Sequence, residues 1–257
     1  MFHNVTMQHR WRAAGLHLLI SLLVAFLAGA LVFLLWYPSE FREWAGGREL
    51  FLLLTSVDVA LGPLLTFAVF NPKKGWIVLR RDLAVIALCQ LLALGYGMYT
   101  VFWARPVALV YEKDRFRVVT AAQVQIDELP KAPPSLQQLP LTGPLLIGTR
   151  EPRDEERQEA LETAVFAMVD RAERPSFWQP YTDSIPEVLE RGRPLSVLFQ
   201  RYPELSAEIS HALVSRQIDP HTAKFLPLVT RHSDWIVIVD GAGQPAHYVK
   251  AHDGAFF

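Results

Sequence analysis

Five histidines lie in the second half of the chain, at 211, 221, 232, 247 and 252, and the run His232-Ser233-Asp234 has the letters of a hydrolytic triad. Imidazoles bind zinc, and a serine beside an imidazole can become a nucleophile, so both chemistries must be weighed. The spacing supports neither. No two of these histidines stand as H-x-x-x-H or H-E-x-x-H, and the second half has no cysteine to join them. Adjacent residues rarely converge on one nucleophile, and no G-x-S-x-G elbow occurs. Gly241-Ala242-Gly243 lacks the third glycine and following helix of a dinucleotide site. These residues are expected to be solvated or hydrogen-bonded side chains, with no metal, cofactor or small-molecule substrate.

Asp58 poses a sharper question. It sits in LFLLLTSVDVALGPLLTFAVFNP, Leu50 to Pro72, a stretch otherwise apolar enough for a bilayer. A carboxylate at the centre of a membrane helix costs on the order of 2.5–3.5 kcal/mol and normally faces protein or water. Gly62 and Pro63 follow. Proline cannot donate to the carbonyl of Val59, which predicts a bend and a cleft beside Asp58.

A rise of ~1.5 Å per residue puts Asp58 roughly 12 Å below the outer interface and Tyr96 about 10 Å below it, whereas His17 lies near the inner end of its own run. Three readings follow. Asp58 is clasped by Tyr96 across two helices, it is offered with Gly62, Pro63 and Tyr96 to a partner helix in the bilayer, or it belongs to a proton relay. Small faces at Ala25 and Gly29, and at Gly95 and Gly97, permit close helix approach.

The elements that position these residues begin with three runs long enough to cross ~30 Å of hydrocarbon as helices. They are about 13–37, 50–70 and 83–103, with Trp11, Trp36, Tyr37, Trp76, Tyr99 and Trp103 near their ends as interfacial aromatics. A cleavable signal at Ala28-Gly29-Ala30 is the competing reading of the first run, but apolar residues continue to Tyr37. Arg10 and Arg12, with Lys73, Lys74, Arg80 and Arg81, mark the cytoplasmic flanks.

Composition divides the chain at the same place. Residues 1–104 hold thirteen charged side chains and the remaining 153 residues hold thirty-eight, so the two parts suit different solvents. The fold class is therefore a membrane protein, with a three-transmembrane-helix N-terminal bundle over 1–104 followed by an α+β extracytoplasmic domain over 105–257. The net charge of −1 gives no footprint for nucleic acid. The lone Cys89 excludes an intrachain disulfide.

In the second part, Val107–Glu112 and Phe116–Thr120 read as a hairpin, and Ala121–Leu129 as a short helix. Leu145–Thr149 reads as a strand. Leu161, Val165, Met168, Val169 and Ala172 recur at helical spacing, predicting an amphipathic helix over 152–174. Ser184 and Glu187 fit a capping box, with helices beginning near Pro186, Pro194 and Pro203. Trp235–Val239 and Ala246–Val249 flank a turn. Phe177, Trp178 and Tyr181, in a Pro-rich loop, are either core or an exposed contact surface.

The segments RWRAAGLHLLISLLVAFLAGALVFLLWYP, GGRELFLLLTSVDVALGPLLTFAVFNPKK and RRDLAVIALCQLLALGYGMYTVFWARPVALVYEKDRFRVVTA resemble the TfpX/TfpZ family of type IV pilin accessory proteins. The likeness is strong over about the first 125 residues. It implies a bacterial inner-membrane protein, not an enzyme, that binds the type IV pilin and acts as a chaperone in pilus assembly. A membrane-bound enzyme modifying pilin and a component of an oligomeric transporter are the alternative classes.

Overall fold

The three apolar runs are helices in the computed structural model, and each helix outruns its run. The structure describes residues 2–71, 74–166, 168–231 and 234–250. Lys73, His232, Ser233 and His252 lie outside the described residues. The chain divides into two compact units, Met1–Arg105 and Pro106–Phe257.

The first unit holds α1 (Phe2–Leu31), a π-helical turn (Val32–Trp36), the short α2 (Phe41–Trp44), α3 (Gly47–Val69) and α4 (Trp76–Trp103). Charged residues mark where an apolar run ends, but they do not stop a helix, so Arg80, Arg81 and Asp82 stand inside α4. Met7–Trp36 and Gly47–Val69 are long and apolar enough to cross a membrane. Apolar side chains on all three long helices point outward, among them Leu23, Phe26, Leu53, Leu64, Leu88 and Leu92.

Inward-facing residues form stripes at helical spacing. On α3 the buried residues Phe51, Thr55, Gly62 and Thr66 fall on one line, and Asp58 lies on it between Thr55 and Gly62. Tyr37, expected at an interface, instead plugs one end of the unit. It is fully buried, its hydroxyl donates to the carbonyl of Val101 at 2.9 Å, and its ring lies where a side chain on Gly47 would stand.

The second unit is built on an eight-stranded mixed sheet. Its strands are β1 (Pro106–Glu112), β2 (Arg115–Thr120), β3 (Leu145–Thr149), β4 (Trp178–Pro180), β5 (Arg193–Pro194), β6 (Lys224–Val229), β7 (Asp234–Val239) and β8 (Pro245–Lys250). The order is β4-β3-β1-β2-β6-β7-β8, with β5 pairing β6 off this path. The expected first hairpin is β1–β2 and the last is β7–β8, both antiparallel, while β1–β3 and β2–β6 are parallel. β1 is buried along its whole length, as a central strand should be. Helices α5 (Arg157–Phe166), α6 (Tyr181–Arg191), α7 (Leu195–Arg201) and α8 (Leu205–Ser215) intervene. Leu198, Ile209 and Leu213 pack with Phe225, Ile236 and Ile238 in the core.

Three local expectations fail for identifiable reasons. The amphipathic helix ends at Phe166, where Met168 takes φ +53° and the Val169 N–H reaches back to the carbonyl of Thr163. The left-handed backbone at Met168 stands just past the helix end, and it is hidden in the sequence because methionine occupies a position where glycine is usual. Leu161, Val165, Phe166 and Met168 are consequently exposed. Ser184 does not cap a helix, because α6 already begins at Tyr181, and its hydroxyl accepts from Gln179. The predicted helix over 121–129 is a 3-10 segment, Ile126–Lys131.

Candidate functional site

The polar residues of the helical unit converge on a cleft between α1, α3 and α4. His17, Ser21 and Ala25 of α1 line it, with Thr55 and Asp58 of α3 and Gln90 and Leu94 of α4. Its volume is about 260 Å³. The stripe on α3 brings Asp58, half-buried, to the lining of this cleft.

A chain of hydrogen bonds crosses the cleft wall. Gln90 Nε2 donates to the Asp58 backbone carbonyl at 3.1 Å. That fixes the amide, so Gln90 Oε1, 2.7 Å from His17 Nε2, accepts from it. The other ring nitrogen, Nδ1, lies 2.5 Å from the Thr66 hydroxyl, within hydrogen-bond distance. Gly62 makes this possible. A Cβ on Gly62 would stand 2.1 Å from Gln90 Nε2, so only glycine lets the amide lie against α3. Thr55 is satisfied within its own helix, donating to the Phe51 carbonyl at 2.8 Å.

The structure brings together some of the residues singled out in the sequence and separates others. Asp58 lines the cleft, and Gly62 seats the glutamine that spans it. Pro63 lies half-buried within α3, which continues unbroken to Val69. Tyr96 is 75% exposed and does not line the cleft, so the Asp58–Tyr96 clasp is not formed. Of the small faces, Gly97 packs closely under Leu54 and Gly29 beside Phe51, whereas Gly95 has open space around it.

His17, set aside on depth, shares the cleft with Asp58. Depth alone misleads because residues are not points. Thr66 lies eight residues beyond Asp58, at the level of His17, and backbone carbonyls point along the helix towards that level. The long Gln90 side chain closes the remaining gap. Gln90 was the polar residue to notice in the third apolar run, and being uncharged it drew no attention.

In the second unit, Phe177, Trp178 and Tyr181 are buried, with Trp178 only 2% exposed, so they are core and offer no contact surface. Trp178 Nε1 donates to the Ala172 carbonyl at 2.9 Å, and the Tyr181 hydroxyl donates to that of Gly243. The Phe177 ring lies between the Arg150 and Arg174 guanidiniums, each 4.9 Å from its centroid.

Those arginines belong to a seam of ion pairs. Arg174 binds Glu128 and Glu159, both at 2.7 Å, and Arg150 grips Glu156 through two bonds of 2.6 and 2.8 Å. Burial pushes the Glu128 carboxyl up, but hydrogen bonds from Arg174 and Ser176 outweigh it and hold the group below the usual range. Arg150 lowers Glu156 to about 2. Opposite charges paired in this way build structure. Among the described residues, no group of three or more His, Cys, Asp or Glu is placed to hold a metal ion.

The profile of the fimbrial assembly protein FimB family matches residues 5–46, the stretch that carries His17, Ser21 and Tyr37. The fimbrial assembly protein of serogroup I from Dichelobacter nodosus is 38% identical over 232 residues, 89% of this chain and 90% of that protein. Its serogroup E1 counterpart is 36% identical over 232 residues, with the same coverage. The counterpart of serogroups C1 and C2 is 42% identical over 121 residues, 47% of this chain and 92% of that protein. No solved structure matches the chain.

Proposed function

This chain belongs to the FimB family of fimbrial assembly proteins, and from that premise we propose that it holds a fimbrial subunit, a type IV pilin, at the bacterial inner membrane before the subunit joins the fibre. The family assignment supports a role in assembly. The pilin as partner is the finer reading, carried by the TfpX/TfpZ resemblance. The protein is a non-enzymatic chaperone in this account.

α1, α3 and α4 all cross the bilayer. The N-terminus is cytoplasmic, because Arg10, Arg12, Lys74, Arg80 and Arg81 flank the helices on that side, and the unit from Pro106 onward is periplasmic. The observation that carries the reading is the cleft. A helical unit with many outward-facing apolar side chains has a recess between α1, α3 and α4 whose walls are apolar apart from a few polar groups, Asp58 among them, and that recess suits a membrane-held partner better than an aqueous ligand. Outside the bilayer, the exposed Leu161, Val165, Phe166 and Met168 supply an apolar surface for the subunit's head, in place of the buried Phe177 group.

Copurification tests this directly. Extraction in mild detergent from cells with the cognate subunit should yield both proteins together. Recovery of the chain alone, under conditions that preserve its fold, would refute the holding role.

A further inference from the structure

Almost every polar group at the cleft is satisfied by another. His17, Gln90, Thr66, Thr55 and the Asp58 carbonyl are joined by the bonds described above. Two groups stand apart. Among the described residues, neither the Asp58 carboxyl nor the Ser21 hydroxyl has a hydrogen-bond or ion-pair partner, and both line the cleft. Both residues are half-buried, and in a bilayer a carboxyl group left without a partner among apolar walls is costly. The same molecule takes care to satisfy its uncharged groups a few ångströms away.

We propose that the cleft accepts one hydrogen-bond-donating side chain from the membrane helix of the fimbrial subunit, and that the Asp58 carboxyl holds it while Ser21 completes its contacts. The proposal rests on the holding role above and adds the chemistry of recognition. Size sets the occupant. A helix with its side chains is ~10–12 Å across, too broad to enter about 260 Å³, so the partner helix lies along the mouth and only a side chain goes in. Drug-sized ligands need pockets of roughly 300–1,000 Å³, which argues against a small molecule. A lipid acyl chain would fit, yet it carries no donor and would leave the carboxyl group unmatched. Complementarity therefore favours a partner with a hydroxyl, amide or amine at this depth. The Gln90 bridge, seated on Gly62, keeps the recess open by holding α1 to α3 at the level below.

A photoreactive residue at position 94, in the full-length chain coexpressed with the subunit, reads what lies in the cleft. The same probe at position 26, which is 71% exposed on α1, reads the outer face. Position 94 should cross-link to the subunit's membrane helix. Asp58→Leu should lower that yield about tenfold, the loss expected for one hydrogen bond to a charged group, and Asp58→Asn, which keeps an acceptor oxygen, should lower it less. Replacing one donor side chain in the subunit's helix should cause the same loss alone and no further loss in the Asp58→Leu background. Equal melting temperatures across these variants would show that each remains folded.

The inference is overturned if Asp58→Leu leaves the cross-link unchanged, if every donor replacement adds independently to Asp58→Leu, or if position 94 captures only lipid while the subunit still copurifies. In those cases the holding role survives. Absence of the subunit from the purified unsubstituted protein refutes both.

Discussion

The two units handle charge in opposite ways. In the second unit, several carboxylates and guanidiniums pair where they leave the surface, as at Arg174 with Glu128 and Glu159, and the core beneath the sheet is apolar. In the helical unit, many apolar side chains face outward, the inward stripe of α3 mixes Phe51 with Thr55, Gly62 and Thr66, and its acid, Asp58, has no side-chain partner among the described residues. A charge buried with its partner is part of the architecture. An acid left half-buried without one is an offer to something outside the chain.

Substitutions at the two kinds of acid site give the largest contrast. Arg174→Ala should destabilise the second unit by about 2–3 kcal/mol, less than for a fully buried pair, since it leaves the half-buried Glu128 without its cation. Asp58→Leu orphans nothing and should leave the melting temperature unchanged or raised, while reducing subunit capture. Thermal melts of both variants in the same detergent decide the matter, and equal losses would erase the distinction.

The pH dependence comes next. Between pH 4.5 and about 2 the unfolded chain protonates Glu156 while the folded chain does not, so that contribution is complete above this window and is lost as pH falls through it. Glu112 and Glu173, pushed up by burial, act in the opposite sense, losing their contribution as pH rises through their raised values. Glu156→Gln should flatten the acid arm of a stability profile. An unchanged arm would remove the Arg150–Glu156 pair from the account.

Smaller effects sharpen the contrast in packing. Ile238→Val, fully buried on β7, should cost about 1 kcal/mol, whereas Ile77→Val, 84% exposed on α4, should change stability by less than ~0.5 kcal/mol. Chemical denaturation of each variant measures this. Thr66→Val, which removes one partner of His17, should cost about 0.6 kcal/mol, the typical worth of a polar contact between membrane helices.

Much of this was legible in the sequence. The three apolar runs and the change in charge density mark the long helices and the boundary, and β-branched and aromatic runs about turn residues mark the first and last hairpins. Asp58 declares itself because an acid in an apolar run is costly. The stripe Phe51, Thr55, Asp58, Gly62 and Thr66 also follows from helical spacing, and it says which way the acid faces. What escaped depends on contacts between helices: the meeting of His17 with Thr66, and the reach of Gln90 over Gly62. The exposed face of α5 escaped because its stop rests on a backbone conformation taken by Met168, which no composition rule assigns to methionine. Phe177, Trp178 and Tyr181 read equally as core or contact until a sheet stands against them.

Protection of the cleft is the most direct test of the whole account. With Cys89 replaced by serine, a single cysteine is placed either at Ala25 on the cleft or at Leu23 on the outer face, and labelling by a membrane-permeant thiol reagent is timed with and without the coexpressed subunit. The subunit should slow labelling at position 25 severalfold and leave position 23 unchanged. Equal rates at position 25 in both conditions, with the subunit copurifying, would contradict the claim that its helix occupies this recess.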